Sequence, residues 1–151
     1  FDINEMAEEI IANAKQVNPG HRISFSQAPA TIVQGDKDRL GQVLVNFLTN
    51  AVKYSPDSRS ILVKTALDGD NVIVSVQDAG IGISKGDQQK IFERFYRVEG
   101  RNEKTFPGFG IGLFIAAEII KKHNGNIGVA SQQGRGSTFY FSIPISTAKS
   151  L

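Results

Sequence analysis

Apolar residues recur at helical spacing in three stretches of the chain. In each stretch they return every three or four residues, which places them on one face of a helix. The stretches cover about residues 3–17, 36–54 and 113–123. Residues that end helices follow each of them: Asn18-Pro19-Gly20, Ser55-Pro56-Asp57 and Asn124-Gly125. The pattern predicts three long helices.

Short runs in which apolar and polar residues alternate separate these helices. A period of two is typical of half-buried strands. The predicted strands cover about residues 23–25, 31–33, 61–67, 72–78, 126–131 and 137–145. Asp68-Gly69-Asp70-Asn71 joins the third and the fourth as a hairpin turn. Since the strands come in adjacent pairs, we expect an α+β fold: a mixed or largely antiparallel sheet with helices on one face, rather than a doubly wound sheet.

A shorter helix and a long loop are predicted before the third long helix. Ser84, with Asp87 three residues later, resembles a capping box. The helix that it opens would carry four apolar or aromatic residues, Ile91, Phe92, Phe95 and Tyr96. Residues 98–109 show no periodicity, which is typical of a mobile loop.

The composition is that of one globular domain. The chain has 151 residues, of which 40% are hydrophobic and 21% are charged, so it can bury on the order of 70% of its unfolded surface. Seventeen Lys and Arg against 15 Asp and Glu give a net charge of +2, which is too balanced for a nucleic-acid or membrane-surface partner. We expect residues 1–146 to form the domain and residues 147–151 to form a frayed tail.

The sequence lacks residues and motifs that several further classes of protein require. The chain contains no cysteine, which excludes disulfide frameworks, zinc ribbons and thiol catalysis and suits a reducing compartment. No apolar run reaches the roughly 20 residues that span a bilayer, so we expect this domain not to insert in a membrane. No Ser-His-acid pattern or metal-ligand cluster supports a hydrolase or a zinc site. His21 and His123 are expected to be structural or surface residues, and His123 follows a helix, where a cation is favoured.

Glycine is concentrated in one part of the chain. Eleven of the 15 glycines fall between Gly80 and Gly136, without Pro-rich or Ser-rich repeats, and this indicates functional loops rather than linkers. The glycine-rich segment from Pro107 to Leu113 runs into the third long helix, whose first N–H groups favour phosphate. Its spacing is neither that of a Rossmann fold nor that of a P-loop. A hinge or tight packing explains such a segment as well.

Polar residues of the second long helix form one candidate site. Asn46, Asn50 and Lys53 are four and three residues apart, which puts them on one polar flank beside the apolar stripe. Asn lowers helix stability by about 0.6 kcal/mol relative to Ala, so two of them in mid-helix require a reason. The flank is either a solvated surface or a site where amide oxygens hold a cation such as Mg²⁺ and the ammonium group contacts phosphate.

Asp78, at the end of a predicted strand, is a second candidate. The period of two points its carboxylate to the same face as the valines of that strand, where an unpartnered carboxylate would be costly. The carboxylate either caps the following loop through backbone N–H groups or accepts a hydrogen bond from a ligand amine, such as that of adenine. Gly80 and Gly82 follow at once, and their missing side chains let backbone approach a flat ligand.

Two arginines precede the long loop. Arg94 and Arg97 alternate with aromatic residues in the segment FERFYR, residues 92–97. Three residues apart, they could neutralise phosphate oxygens. A helix end whose aromatic residues pack on the core explains the segment equally well.

In this order the motifs resemble those of the ATP-binding catalytic domain of bacterial sensor histidine kinases, which belong to the Bergerat superfamily together with gyrase. The resemblance covers nearly the whole chain. QVLVNFLTNAVKYS resembles the family's asparagine box, FERFYR its aromatic box, and DAGIGI, GFGIGL and GRGSTF its three glycine boxes. The fold that this implies is a two-layer sandwich of about three main helices on a mixed, largely antiparallel, five-stranded sheet.

The resemblance also implies roles for residues of each box. In the asparagine box, Asn50 would bind Mg²⁺, and Asn46 would support the metal and the phosphates. Lys53 would contact phosphate, and Tyr54 would contact adenine. At the adenine end, Asp78 would accept a hydrogen bond from the adenine amine. The residues that line the pocket there would be Gly80, Gly82, Ile83 and Thr138. At the phosphates it implies backbone N–H donors beneath an ATP lid of about residues 98–109: Gly110, Ile111, Gly112 and Leu113. Arg94 and Arg97 would act on the γ-phosphate or at an interdomain contact.

The implied function is transfer of the γ-phosphate of Mg-ATP to a histidine in two-component signalling. Nothing in the sequence resembles the family's phosphoacceptor box, so the acceptor would lie on a separate dimerisation and histidine-phosphotransfer domain. A response regulator would be a further partner, and the location would be the cytoplasmic side of a membrane-anchored kinase.

Two alternatives stay open. The first is a gyrase-like ATPase clamp, although those enzymes activate water with a glutamate on the second helix, where this chain has Asn46 and Asn50. The second is a non-catalytic nucleotide-binding or docking module, because the binding residues are present and an acceptor is not. A serine-directed kinase of the same superfamily is a lesser alternative.

Overall fold

Helices cover one face of a five-stranded sheet. The computed structural model describes residues 1–55, 60–93, 112–132 and 134–146. Within these ranges the elements are α1 (Ile3–Val17), β1 (Arg22–Ser26), α2 (Lys37–Tyr54), β2 (Ser60–Asp68), β3 (Asn71–Asp78), α3 (Lys85–Gln88), α4 (Gly112–Lys122), β4 (Asn126–Gln132) and β5 (Gly136–Pro144). The predicted α+β sandwich is confirmed. None of the helices in the described ranges is both long and apolar enough to cross a lipid bilayer.

The sheet is mixed and largely antiparallel, as predicted. Its strand order is β1-β2-β3-β5-β4. β1 pairs in parallel with β2, and all other neighbours pair antiparallel. In β3 every second side chain is buried, and Asp78 is the last member of that buried row.

Residues 31–33 do not form the strand that their alternation predicts. Ile32 makes only an isolated bridge with Asp2. The N–H of Ile3 donates to the carbonyl of Thr31 at 2.9 Å. The other hydrogen bonds of this segment join Val33 to Phe1 and the Ile32 carbonyl to the N–H of Ser146 at 2.9 Å, so they go to the start of the chain and to the segment after β5 rather than to a strand of the sheet.

α3 is shorter than predicted. It follows the N-cap Ser84, whose hydroxyl accepts a hydrogen bond from the N–H of Asp87. Ile91 is buried, and the ring of Phe92 packs edge-on against Phe139 at a centroid distance of 6.5 Å. After α3 the backbone continues as turns, in which the N–H groups of Lys90 and Ile91 both donate to the Asp87 carbonyl at 2.9 Å, and these turns bring both side chains to the core. The other two predicted residues and the long loop lie outside the described residues: Phe95, Tyr96 and 98–109.

α2 is anchored in the core by Phe47. This ring is fully buried and lies 5.5 Å from the ring of Phe139 and 6.1 Å from that of Phe141, both on β5. Aromatic pairs at such distances contribute beyond the area that they bury. The core therefore fixes the helix that carries Asn46 and Asn50.

A buried hydrogen-bond network attaches α1 to the sheet. Asn4 is 4% exposed, and its Nδ2 donates to the carbonyls of Ala28 at 3.0 Å and Pro29 at 3.2 Å. Its Oδ1 accepts from the hydroxyl of Thr65 on β2 at 2.7 Å. That hydroxyl accepts in turn from the N–H of Ala28 at 2.8 Å. The donors and the acceptor of the Asn4 side chain are all used, as buried polar groups require.

We expect Asn4→Ala to lower the free energy of unfolding by about 1–3 kcal/mol, because the Thr65 hydroxyl and two carbonyls lose a buried partner. Urea unfolding followed by circular dichroism measures the change. Gln27→Ala is the control, since the Gln27 side chain bonds Glu8 at the exposed surface. A loss for Asn4→Ala no larger than that of the control would contradict the role of the network.

Candidate functional site

The polar flank of α2 lies between the core and the solvent. Asn46, Asn50 and Lys53 are all half-buried. The Nδ2 of Asn50 donates to the Oδ1 of Asn46 at 3.3 Å, so the two amides form a pair one helical turn apart. Because this bond uses the nitrogen of Asn50, the oxygen of Asn50 is the end of its amide that can face a cation.

α4 begins directly against this amide pair. A Cβ atom at Gly112 would lie 2.1 Å from the Nδ2 of Asn46, so no side chain fits there. Leu113, the next residue, packs against the core. The N–H groups of a helix's first turn have no partner within the helix and lie at the positive end of its dipole. The structure thus joins a helix N-terminus to two amides, which favours an anion together with a hard cation.

Part of the predicted phosphate end lies outside the described residues. Of the second glycine box, the structure describes Gly112 and Leu113. The other predicted residues of this end stay predictions: Arg94, Arg97, Gly110, Ile111 and the lid, 98–109.

Asp78 is a buried carboxylate, 3% exposed. Its Oδ1 accepts from the N–H of Gly80 at 2.9 Å, and the backbone of Ser137 also donates to the carboxylate. Burial raises the pKa of Asp78 above its usual value, and these two hydrogen bonds offset the effect only in part. The loop-capping role considered from the sequence is present. A carboxylate has about four acceptor positions, so capacity for a further donor remains.

The loop after Asp78 is attached to the C-terminal end of α2. The N–H of Ile81 donates to the carbonyl of Tyr54 at 3.1 Å. A Cβ atom at Gly80 would lie 2.0 Å from the same oxygen. Gly82 has a φ of 74°, a conformation that glycine adopts without strain. Tyr54, predicted to contact adenine, therefore lies beside this loop.

Ser137, and not Thr138, lies beside Asp78. In the pairing of β3 with β5, Asp78 is opposite Ser137 and Gln77 is opposite Thr138. Opposed residues share a face of the sheet, and successive residues alternate between faces. The side chain of Thr138 therefore points to the face away from Asp78, which corrects its predicted place in the pocket by one strand position.

A group of hydrogen bonds around Ser131, missed from the sequence, holds the rim of the pocket. The Ser131 hydroxyl accepts from the N–H of Ile83 at 2.8 Å and donates to the carbonyl of Gly136 at 2.8 Å. It also lies 2.9 Å from the hydroxyl of Ser137. The side-chain amide of Gln88 donates to the carbonyls of Ile83 at 2.7 Å and Ser131 at 2.9 Å. A serine near a turn has many ordinary explanations, so the sequence carries no specific signal for this role.

α2 carries residues of both ends of the site. Asn46 and Tyr54 are eight residues apart on this helix, which is about 12 Å along its axis. Near Tyr54, a buried carboxylate beside glycine backbone can accept a hydrogen bond from a flat ring that bears an amine. At Asn46, a helix N-terminus and two amides can bind an anion and a cation. A nucleoside phosphate has both features at this separation.

We expect Asp78→Asn to stabilise the ligand-free domain at neutral pH. The pKa of Asp78 is raised above 3.8 in the folded state, so between the unfolded and folded pKa values the folded state binds more protons. Stability therefore falls as pH rises through that window and stays lower above it. Asn carries no charge, keeps a carbonyl acceptor for Gly80 and avoids this loss.

Urea unfolding over about pH 3–8 measures the effect. The stability of Asp78→Asn relative to the wild type should grow from pH 3.8 upwards and become constant above the folded-state pKa. A difference that does not change with pH would contradict the burial cost of the carboxylate.

The chain is similar to known proteins over most of its length. The sequence profile of the family described as "Histidine kinase-, DNA gyrase B-, and HSP90-like ATPase" matches residues 35–147. The sensor-like histidine kinase SenX3 of Mycolicibacterium smegmatis is 37% identical over 145 residues, which are 95% of this chain. The chain spans only 38% of the length of SenX3.

Two solved structures share the fold. The mycobacterial sensor histidine kinase MprB superposes with a TM-score of 0.85 at 26% identity, over 96% of this chain and 97% of that one. Full-length ShkA, solved in complex with AMPPNP, superposes with a TM-score of 0.81 at 30% identity, over 98% of this chain and 31% of ShkA.

Proposed function

We propose that this chain, which belongs to the family of histidine kinase-, DNA gyrase B- and HSP90-like ATPases, is the ATP-binding catalytic domain of a sensor histidine kinase. In this role it transfers the γ-phosphate of ATP to a histidine on another domain. One observation carries the proposal: a buried carboxylate at Asp78, beside the C-terminal end of α2, and an amide pair in the middle of α2, under the start of α4, lie along a single helix.

The pocket at Asp78 suits adenine. The carboxylate uses two of its about four acceptor positions on the backbone N–H groups of Gly80 and Ser137, so it can also accept the exocyclic amine of adenine. Gly80 lets the loop after Asp78 pack against the Tyr54 carbonyl, which keeps this loop close to α2. The amine would also offset part of the cost of burying the charge.

The amide pair suits Mg²⁺ bound together with phosphates. Proteins hold Mg²⁺ through one or two oxygen ligands and leave the other positions to phosphates and water, and the Asn50 oxygen is a ligand of this kind. Gly112 places the first turn of α4 beside the pair, where N–H groups can bind phosphate oxygens. Lys53 adds an ammonium group one turn further along α2. When bound, Mg²⁺ would neutralise part of the charge of the triphosphate.

The chain's residues would act by positioning and by charge neutralisation, which dominate phosphoryl transfer. α2 sets the separation between the base and the phosphates. The backbone of Gly110, Ile111 and Leu113 would donate to phosphate beneath the lid, and Arg94 and Arg97 would neutralise charge on the γ-phosphate. These last roles rest on the resemblance of the motifs.

The phosphoacceptor would belong to another part of the kinase, a dimerisation and histidine-phosphotransfer domain. Both ring nitrogens of His123 are used within the fold, on the N–H of Asp36 and the carbonyl of Ile119, so His123 does not suit the acceptor role. A response regulator would then take the phosphoryl group. Since the domain needs ATP, we place it on the cytoplasmic side of a membrane-anchored kinase.

Phosphotransfer to the partner domain tests the proposal. We expect the chain, mixed with radiolabelled ATP, Mg²⁺ and the separately expressed dimerisation domain of the same kinase, to produce acid-labile phosphohistidine on that domain. Asp78→Asn should abolish most of the transfer, because the amide presents a donor toward the adenine amine. Gln77→Ala, at the adjacent exposed position, should leave the transfer unchanged.

Three results would favour other functions. Steady ATP hydrolysis by the chain alone would favour the gyrase-like clamp. Tight ATP binding without phosphohistidine would favour a non-catalytic nucleotide-binding or docking module. An acid-stable phosphorylated product would favour a serine-directed kinase.

We expect Asn50→Ala to weaken ADP binding at least about tenfold when Mg²⁺ is present and to change it little in EDTA, because the substitution removes the proposed metal ligand. Isothermal titration calorimetry with and without Mg²⁺ measures the two affinities. Thr49→Ala, at the adjacent exposed position of α2, is the control. Equal losses with and without Mg²⁺ would contradict metal binding by Asn50.

A further inference from the structure

α2 and α4 contact each other closely at both ends of the pair. At one end Gly112, the first residue of α4, lies against Asn46 of α2. At the other end His123, directly after α4, reaches Asp36, the N-cap of α2. The two helices therefore run antiparallel, with the proposed phosphate site at one end and His123 at the other.

The hydrogen bonds of His123 define its tautomer. Nδ1 lies 2.8 Å from the carbonyl of Ile119. A carbonyl only accepts, so Nδ1 carries the hydrogen. Nε2 then accepts from the N–H of Asp36 at 3.0 Å. The ring is neutral in this arrangement, although its place after a helix would favour a cation, and it joins the last turn of α4 to the first backbone N–H before α2.

Gly35 allows the ring to come this close. A Cβ atom at Gly35 would lie 2.5 Å from the Cδ2 and 2.8 Å from the Nε2 of His123. Both atoms belong to a ring held by hydrogen bonds on each side, so the ring cannot move aside cheaply. The backbone before α2 is thus packed directly on the imidazole.

The two contacts mark equal lengths of the two helices. Asp36 and Asn46 are ten residues apart on α2, about 15 Å. Gly112 and His123 are eleven residues apart on α4, about 16 Å. A helix is stiff over this distance, so a shift of α4 along its axis at His123 would appear at Gly112 as well.

We propose that His123 is a positioning residue for the nucleotide site: by bonding the N–H of Asp36 it sets where Gly112 lies along Asn46. The inference rests on the proposed function, since it concerns the same site. Apolar packing between the helices is non-directional and tolerates a small axial shift, whereas a hydrogen bond to one backbone N–H fixes the position.

Three substitutions separate the two hydrogen bonds of His123. In His123→Gln the side chain reaches as far as Nε2 does and can offer its Oε1 to the N–H of Asp36. In His123→Asn the side chain is shorter, so it can bond the Ile119 carbonyl but not Asp36. In His123→Leu the side chain makes neither bond. Asn4→Ala is the control for general destabilisation, because its network joins α1 to β2 and involves neither α2 nor α4.

ADP affinity in Mg²⁺ is the main measurement, made by calorimetry at a temperature at which every variant is folded. We expect His123→Asn and His123→Leu to weaken binding about five- to tenfold and His123→Gln to stay within about twofold of the wild type. The backbone amide signal of Gly112 and the side-chain amide signal of Asn46 in NMR spectra should shift in the Asn and Leu variants and not in the Gln variant.

The results distinguish this inference from the proposed function. If the wild type fails to bind ADP, the proposed function fails and the inference falls with it. If the wild type binds and all His123 variants bind equally well, only the inference is overturned. It is also overturned if His123→Gln loses as much affinity as His123→Asn, or if Asn4→Ala loses as much as either.

Discussion

Three glycines that lie very close to neighbouring groups hold the candidate site together. A Cβ atom would lie 2.0–2.1 Å from a neighbouring atom at each of them: Gly80 against the Tyr54 carbonyl, Gly112 against the Asn46 amide, and Gly136 against the Asp78 carbonyl. A side chain at Gly80 or Gly136 would push apart the backbone segments that meet there, and one at Gly112 would displace the Asn46 amide. The glycines at these three positions therefore reflect close approach between neighbouring elements, and not flexible linkers.

The buried charge of Asp78, at the start of the loop that contains Gly80, destabilises the folded protein. Asp78 ends a row of buried valines, and two backbone hydrogen bonds do not fully offset the burial of its carboxylate. An amide carries no charge and keeps one acceptor oxygen for the backbone donors. An anion is a stronger acceptor for an amine donor than an amide is, so the proposed contact with the adenine amine would account for Asp rather than Asn at this position. Sites that sacrifice stability in this way are common where proteins bind ligands.

Local patterns predicted the parts of the fold that depend on local forces. The bounds of α1 and α2, the mixed sheet and the buried face of Asp78 follow from periodicity and end signals within a few residues of each position. Long-range contacts were beyond these patterns. Residues 31–33 alternate like a strand but bond the start of the chain, and the place of Ser137 instead of Thr138 depends on the register between β3 and β5. His123 is structural, which was one of the two expectations for it, but its partner Asp36 and its contact with Gly35 lie far away in the chain and were not predictable from local pattern.

The chemistry of α2 limits what the site can do alone. Asn46 and Asn50 are amides, which can bind a cation or a phosphate but cannot take a proton from water at neutral pH. A site that positions ATP with these groups suits a nucleophile that needs no strong base. Neutral imidazole is such a nucleophile, since it carries an available lone pair near neutral pH. In the proposed function the amide pair would therefore hold the phosphates in place, and a histidine on a partner domain would supply the reactive atom.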